Sequence, residues 1–196
     1  MKKSWIIILV VVVVLFLIYG WFKGTYNEMV TKSEAVKAQW SQVENVYQRR
    51  ADLIPNLVNT VKGYATHEKE TLEGVVQARA KATSVNIDAN HLNPQMLQQF
   101  QKAQDGLSQA LSRLMVVVER YPDLKANQNF LELQAQLEGT ENRIAVERRR
   151  FNEKTQEYNT YIKMFPRNIL ANMFGFTAKP YFKAEKGAQK APKVKF

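Results

Sequence analysis

The chain is 196 residues long, enough for one domain with a sizeable core plus appendages. Its 28 Lys and Arg outweigh 18 Asp and Glu, and the resulting +10 suits anionic lipid, nucleic acid or an acidic partner without choosing among them. The absence of cysteine excludes a disulfide framework, a thiolate metal site and a thiol nucleophile, and few Pro and Gly among abundant Gln, Glu, Lys, Arg, Ala and Leu make helix the default class.

Residues 5–22 carry no charged side chain. As a helix they reach roughly 27 Å, close to the ~30 Å of a hydrocarbon core. Trp5 marks one end and Tyr19 with Trp21 the other, where amphipathic rings favour the interfaces. The apolar run is long for a signal peptide, and Gly20-Trp21-Phe22-Lys23 offers no small-x-small cleavage site, so residues 1–24 read as an uncleaved transmembrane anchor. Lys2 and Lys3 flank the short side, with Lys23, Lys32 and Lys37 on the other. The cations nearest the membrane favour a cytoplasmic N-terminus and a periplasmic domain.

From Tyr26 onward apolar residues recur at coiled-coil-like spacings of three and four, through Met29, Val36, Trp40, Val43, Tyr47, Ile54, Leu57, Val61, Tyr64 and Val75. The phase survives Ser33, Arg50, Glu68 and Thr71, which predicts one helix to about Thr83. Pro55 removes the hydrogen bond to the Ala51 carbonyl, which predicts a kink there. Residues 84–93 read as a loop, and Asn93-Pro94 as the cap and first position of a second helix, striped by Leu97, Phe100, Gln104, Leu107, Leu111, Leu114 and Val118 and stopped at Pro122. Asn127 caps a third, striped by Phe130, Leu133, Leu137, Thr140, Ile144, Phe151 and Tyr158 and ended at Pro166. Short connections force antiparallel neighbours, so residues 25–176 are expected to form an all-α antiparallel bundle of the four-helix type.

Arg50, Gln104 and Glu147 share the apolar phase of these helices. Either they face inward, with an Arg50–Glu147 pair setting the register, or their long side chains snorkel to the surface. Residues 168–176 place Ile169, Met173 and Phe176 on one side of a short helix, which reads either as an interfacial or docking segment or as a cover over the end of the bundle. Six lysines against Glu185 alone make residues 177–196 a basic tail, expected to be disordered and to attract anionic head groups.

The run Arg49-Arg50-Ala51-Asp52-Leu53-Ile54-Pro55-Asn56-Leu57-Val58, with Val61-Lys62-Gly63-Tyr64 and His67-Glu68 after it, resembles the LemA family. So do Tyr26-Asn27, the stretch Glu138-Gly139-Thr140-Glu141-Asn142-Arg143-Ile144-Ala145 with Arg148, Arg149 and Arg150, and Phe165-Pro166 with Phe174-Gly175-Phe176. The resemblance covers residues 1 to about 182. It implies a bacterial inner-membrane protein with a helical-bundle domain and no established activity, and it supplies no mechanism.

The best reactive cluster is His67, Glu68, Glu70 and Glu73. A zinc peptidase helix would read H-E-x-x-H, but Thr71 occupies the fifth position and His91 lies in a loop. Only a reversed His67-x-x-Glu70 pair exists where a di-iron bundle needs two Glu-x-x-His pairs. Arg49, Arg50, Arg148, Arg149 and Arg150 could neutralise phosphates, but Glu44, Asp52, Glu147 and Glu153 lie nearby and no recognition motif accompanies them. The expected function is a noncatalytic scaffold or adaptor at the inner membrane, contacting membrane lipid and either itself or another membrane protein. Membrane shaping is the alternative, and a metal-dependent hydrolase using His67 and Glu70 is a third class. No catalytic, cofactor or metal residue is assigned, and no nucleic acid or small-molecule substrate is expected.

Overall fold

The computed structural model describes residues 3–183, and the regular structure among them is all helical. Helix α1 runs without a break over Lys3–Lys62, 60 residues or about 90 Å at the rise of an α-helix. Its first third is exposed and apolar, long enough to cross a membrane; its remainder buries the stripe of Met29, Val36, Trp40, Val43, Tyr47, Ile54, Leu57 and Val61. Anchor and bundle are thus one continuous helix with no linker between them.

The chain then reverses. The helix expected to reach Thr83 ends at Lys62, because the amides of Tyr64 and Ala65 both return to the Val61 carbonyl at 3.0 and 2.9 Å and close a tight turn over residues 63–68. Gly63, a weak helix former, opens that turn. Helix α2, Lys69–Ser84, runs back beside α1 and buries Leu72, Val75 and Ala82. The expected stripe does not carry through the turn: Tyr64 is exposed while Ala65 is buried, and α2 buries Leu72 in place of Thr71, with Val75 common to both. Pro55, where a kink within the helix was expected, lies inside α1 without ending it.

A single 3-10 turn at Ala89–His91 precedes α3, Pro94–Val118, whose cap Asn93 accepts from the Met96 amide at 2.8 Å. One turn of helix, α4 at Pro122–Lys125, leads to α5, Gln128–Lys163, capped by Asn127. Helix α5 descends along α1. Two contacts fix their register: Trp40 lies on Phe151 with ring centroids 5.6 Å apart, and ten residues further along α1 Arg50 meets Glu141, ten residues back along α5. A short α6, Arg167–Met173, completes the chain of helices and ends in a Schellman turn. There Gly175 takes φ of 74° while the Phe176 amide bonds the Ala171 carbonyl at 2.9 Å.

The core divides by level. Near the anchor it is aromatic, built on Trp40, Tyr47, Phe100, Phe151, Tyr158 and Phe182; beyond Arg50 it is aliphatic, built on Ile54, Leu57, Leu107, Leu114 and Leu137. Helix α2 reaches the outer half and packs chiefly on α3. In the inner half the segment 177–183 takes part of the wall. That segment corrects the expected tail boundary at 177: Phe182 is buried and the chain is held to the bundle through Lys183, while residues 184–196 lie outside the described residues.

Candidate functional site

Arg50 sits between the two cores with 2% of its side chain exposed. Its Nη1 donates to Glu141 Oε1 at 2.6 Å and to Ser108 Oγ at 3.0 Å, and its Nη2 donates to Gln104 Oε1 at 2.6 Å. Gln104, also buried, donates through Nε2 to the Ala82 carbonyl in the last turn of α2 at 3.2 Å. One guanidinium thereby ties α1, α3 and α5 directly and α2 through Gln104. The inward reading of Arg50 and Gln104 holds, and the surface reading does not. The expected partner Glu147 is replaced by Glu141; Glu147 instead accepts from Gln39 Nε2 at 2.6 Å and from Arg150 at 2.8 Å. Ten residues separate Arg50 from Trp40, as ten separate Glu141 from Phe151, so Glu147 stands nearly two turns too far along α5.

A second tie uses the proline. Pro55 lacks the amide that would bond the Ala51 carbonyl, and that carbonyl accepts from Arg79 Nε of α2 at 2.7 Å. The freed acceptor becomes a docking point for the neighbouring helix.

The third tie holds segment 177–183. Asn159 donates to the Lys179 carbonyl and accepts from its amide, both at 2.8 Å, and Asn152 does the same with Phe182 at 3.0 and 2.8 Å. The two asparagines are seven residues apart, so they share a face of α5. Each reads the backbone of an extended chain as a neighbouring strand would. The Phe182 ring then stacks on Trp40 at 5.9 Å and lies under the Arg148 guanidinium at 4.9 Å.

At the anchor end, Phe174 lies edge-on to Phe22 at 5.6 Å and to Tyr26 at 4.9 Å, and Phe176 lies 5.7 Å from Tyr26. Helix α6 buries Leu170 and Ala171 against the bundle, yet Phe165, Ile169 and Met173 remain 81%, 58% and 59% exposed. The segment is both a cover for the bundle and an exposed apolar face. Arg167 stacks over the Tyr161 ring at 4.2 Å, with Lys32 over the same ring at 5.5 Å.

The candidate reactive cluster disperses. His67 is exposed in the α1–α2 turn, and Glu68 accepts from Arg120 at 2.9 Å and from the Tyr121 hydroxyl at 3.1 Å. Glu70 and Glu73 are exposed on α2, with Glu73 3.8 Å from Lys69. Among the described residues no group of three His, Asp or Glu is placed to hold a metal ion. The nearby groove between α1 and α2 is lined by Val58, Leu72 and Val76 with Lys62, Thr66, Lys69, Glu73 and Gln77 around them. Of the arginines, Arg150 pairs with Glu147 and Arg149 lies 3.8 Å from Glu153. Burial pushes the Glu44 carboxyl up from its ordinary value, against a smaller opposing pull from Trp40, and burial likewise raises the Tyr47 phenol. Arg79, Ser108, Glu141, Asn152 and Asn159 were not singled out from the sequence. The seven-residue spacing of the two asparagines, each following a stripe residue, was the available signal.

Comparison with known proteins adds the following. A profile of the LemA family matches residues 39–196. Magnetosome protein MamQ 2 of Paramagnetospirillum magneticum is 31% identical, over 85% of this chain and 67% of its own. Magnetosome protein MamQ of Magnetospirillum gryphiswaldense is 29% identical, over 80% of this chain and 64% of its own. Protein LemA of Metamycoplasma hominis is 26% identical, over 86% and 74%.

Proposed function

The chain belongs to the LemA family, and from that premise we propose that it is a membrane-anchored, noncatalytic scaffold or adaptor that works through helix-face contacts with itself or with another membrane protein. The observation that carries this reading is α1, one uninterrupted helix from the apolar span to the far end of the bundle. A linker would let the domain tumble, whereas a continuous helix presents its outer faces at a set height and direction. Inside the bundle Arg50 engages Gln104 and Glu141, and Glu70 and Glu73 of α2 and Glu138, Arg149 and Glu153 of α5 face outward. We place the protein in a bacterial inner membrane with the bundle on the periplasmic side, following the lysines next to the span. A reporter fused after Phe196 reads that side directly.

The test is the assembly state of the full-length chain. Crosslinking in membranes followed by mass photometry in detergent is expected to give a discrete oligomer or a stoichiometric partner. Monomer alone, with no partner retained, would remove the scaffold reading. A second reading, membrane shaping, is favoured by the exposed apolar face beside the span. It predicts that vesicles carrying the full-length protein become smaller or tubular in cryo-electron micrographs, and unchanged vesicles would end it.

A further inference from the structure

We propose that residues 164–174 are a second membrane contact, an interfacial foot that seats in the anionic leaflet beside the point where α1 enters it. The proposal rests on the reading that α1 crosses the membrane.

Three observations converge on it. The first is height. Phe22 closes the charge-free run, and Phe174 touches Phe22 and Tyr26, so α6 lies at the level where the span meets the aqueous domain. The second is the pattern of burial. Leu170 and Ala171 face the bundle, while Ile169 and Met173, one helical turn apart, are turned away from it, with Phe165 and Met164 exposed just before them. An apolar face of this kind in water would be a cost without a cause. At the boundary of a bilayer it has an apolar medium beside it. The third is charge. Between Glu157 and Glu185 the sequence contains no acidic residue, and Lys163 and Arg167 border the exposed apolar face. Cations around a short apolar face match anionic head groups over acyl chains, the pattern of an interfacial segment. The Schellman turn at Gly175 brings Phe176 back onto Tyr26, which holds the foot to the anchor.

Two points of attachment do what one span cannot. The span fixes position, and the foot fixes which side of α1 faces the membrane surface.

The chain has no cysteine, so single nitroxide labels are unambiguous. The full-length variants Ile169→Cys and Met173→Cys are reconstituted in phosphatidylethanolamine–phosphatidylglycerol vesicles, with Val12→Cys as the reference in the span and Val116→Cys as the reference at the far end of α3. Power saturation with oxygen and with a water-soluble nickel chelate reads depth. Labels at 169 and 173 are expected to favour oxygen, between the two references, with nickel access several-fold below that at 116. Lys163→Glu with Arg167→Glu, or replacement of phosphatidylglycerol by phosphatidylcholine, is expected to raise nickel access at 169. Labels at 169 and 173 as open to nickel as at 116, with 12 in hydrocarbon, would overturn the foot and spare the span. Labels shielded from both reagents would also overturn it, by showing a protein neighbour there. A label at 12 in water would sink the spanning reading instead.

Discussion

Arg50 is the costliest side chain to bury in this bundle, and its partners decide what its removal does. Arg50→Ala leaves Gln104 Oε1 buried without its donor, and orphaning a buried acceptor in this way is expected to destabilise by about 1–3 kcal/mol. Replacing both ends with apolar groups, Arg50→Met with Gln104→Leu, should recover much of that loss, because no buried polar atom is then orphaned on these two residues. Thermal unfolding of the full-length chain in detergent, followed by circular dichroism, measures both. Glu44 gives the pH counterpart. Burial raises its carboxyl above the ordinary value near 4.5, so between the two values the folded chain binds more protons than the unfolded one. Stability therefore falls as pH rises through that window, and Glu44→Gln is expected to be the more stable protein at pH 7 but not at pH 3. Equal pH profiles for the two proteins would contradict the assignment. At this scale the stripes showed that Arg50 and Gln104 share the apolar phase but left open whether they face inward or reach the surface, which the structure decides. Glu141 was not legible, because a stripe gives the face of one helix and says nothing about its sliding register against another; Trp40 on Phe151 supplies that.

Among the elements, the α1–α2 pair shows how a broken rule is reused. Pro55 deprives the Ala51 carbonyl of its helical donor, and Arg79 takes the vacancy. Removing Arg79 by Arg79→Met should cost about 1–3 kcal/mol, the loss of a partner for a carbonyl inside the packed pair. In a Pro55→Ala background, where the restored amide can serve Ala51, the same change should cost less. A double-mutant cycle by urea unfolding tests this, and additive losses would mean that Arg79 and Pro55 do not share the acceptor. The bundle class, the caps at Asn93 and Asn127 and the helices α3 and α5 could be read from the sequence, since periodicity and capping chemistry are local. The reversal at residues 63–68 was missed, because Tyr64 and Val75 fit one continued stripe and the polar positions Glu68 and Thr71 between them read as skips within it. Proline drew attention as the stronger helix breaker, yet the chain turned at Gly63.

For the molecule as a whole, the inner core is completed by an extended segment that composition marks as tail. Phe182 stacks on Trp40 and meets Phe151 at 5.3 Å, so Phe182→Ala is expected to cost about 3–5 kcal/mol and to open Trp40 to water. A red-shifted tryptophan emission with a lower unfolding midpoint in the full-length chain would show it; an unchanged midpoint would mean that the segment merely rests there. Lysine content hid this segment, since Lys179 and Lys183 are held through their backbone atoms, which any sequence possesses.

Because membrane span and bundle are turns of the same helix, they also share one angular phase, and α1 behaves as a drive shaft. One residue inserted after Gly20 would turn everything beyond it by about 100° and raise it about 1.5 Å, whereas seven would return it to within about 20° and raise it about 10 Å. Azimuth and height can thus be dialled separately, with the bundle itself untouched. If partners are chosen by direction, the single insertion silences the protein and the sevenfold one spares it; if they are chosen by reach, the order reverses.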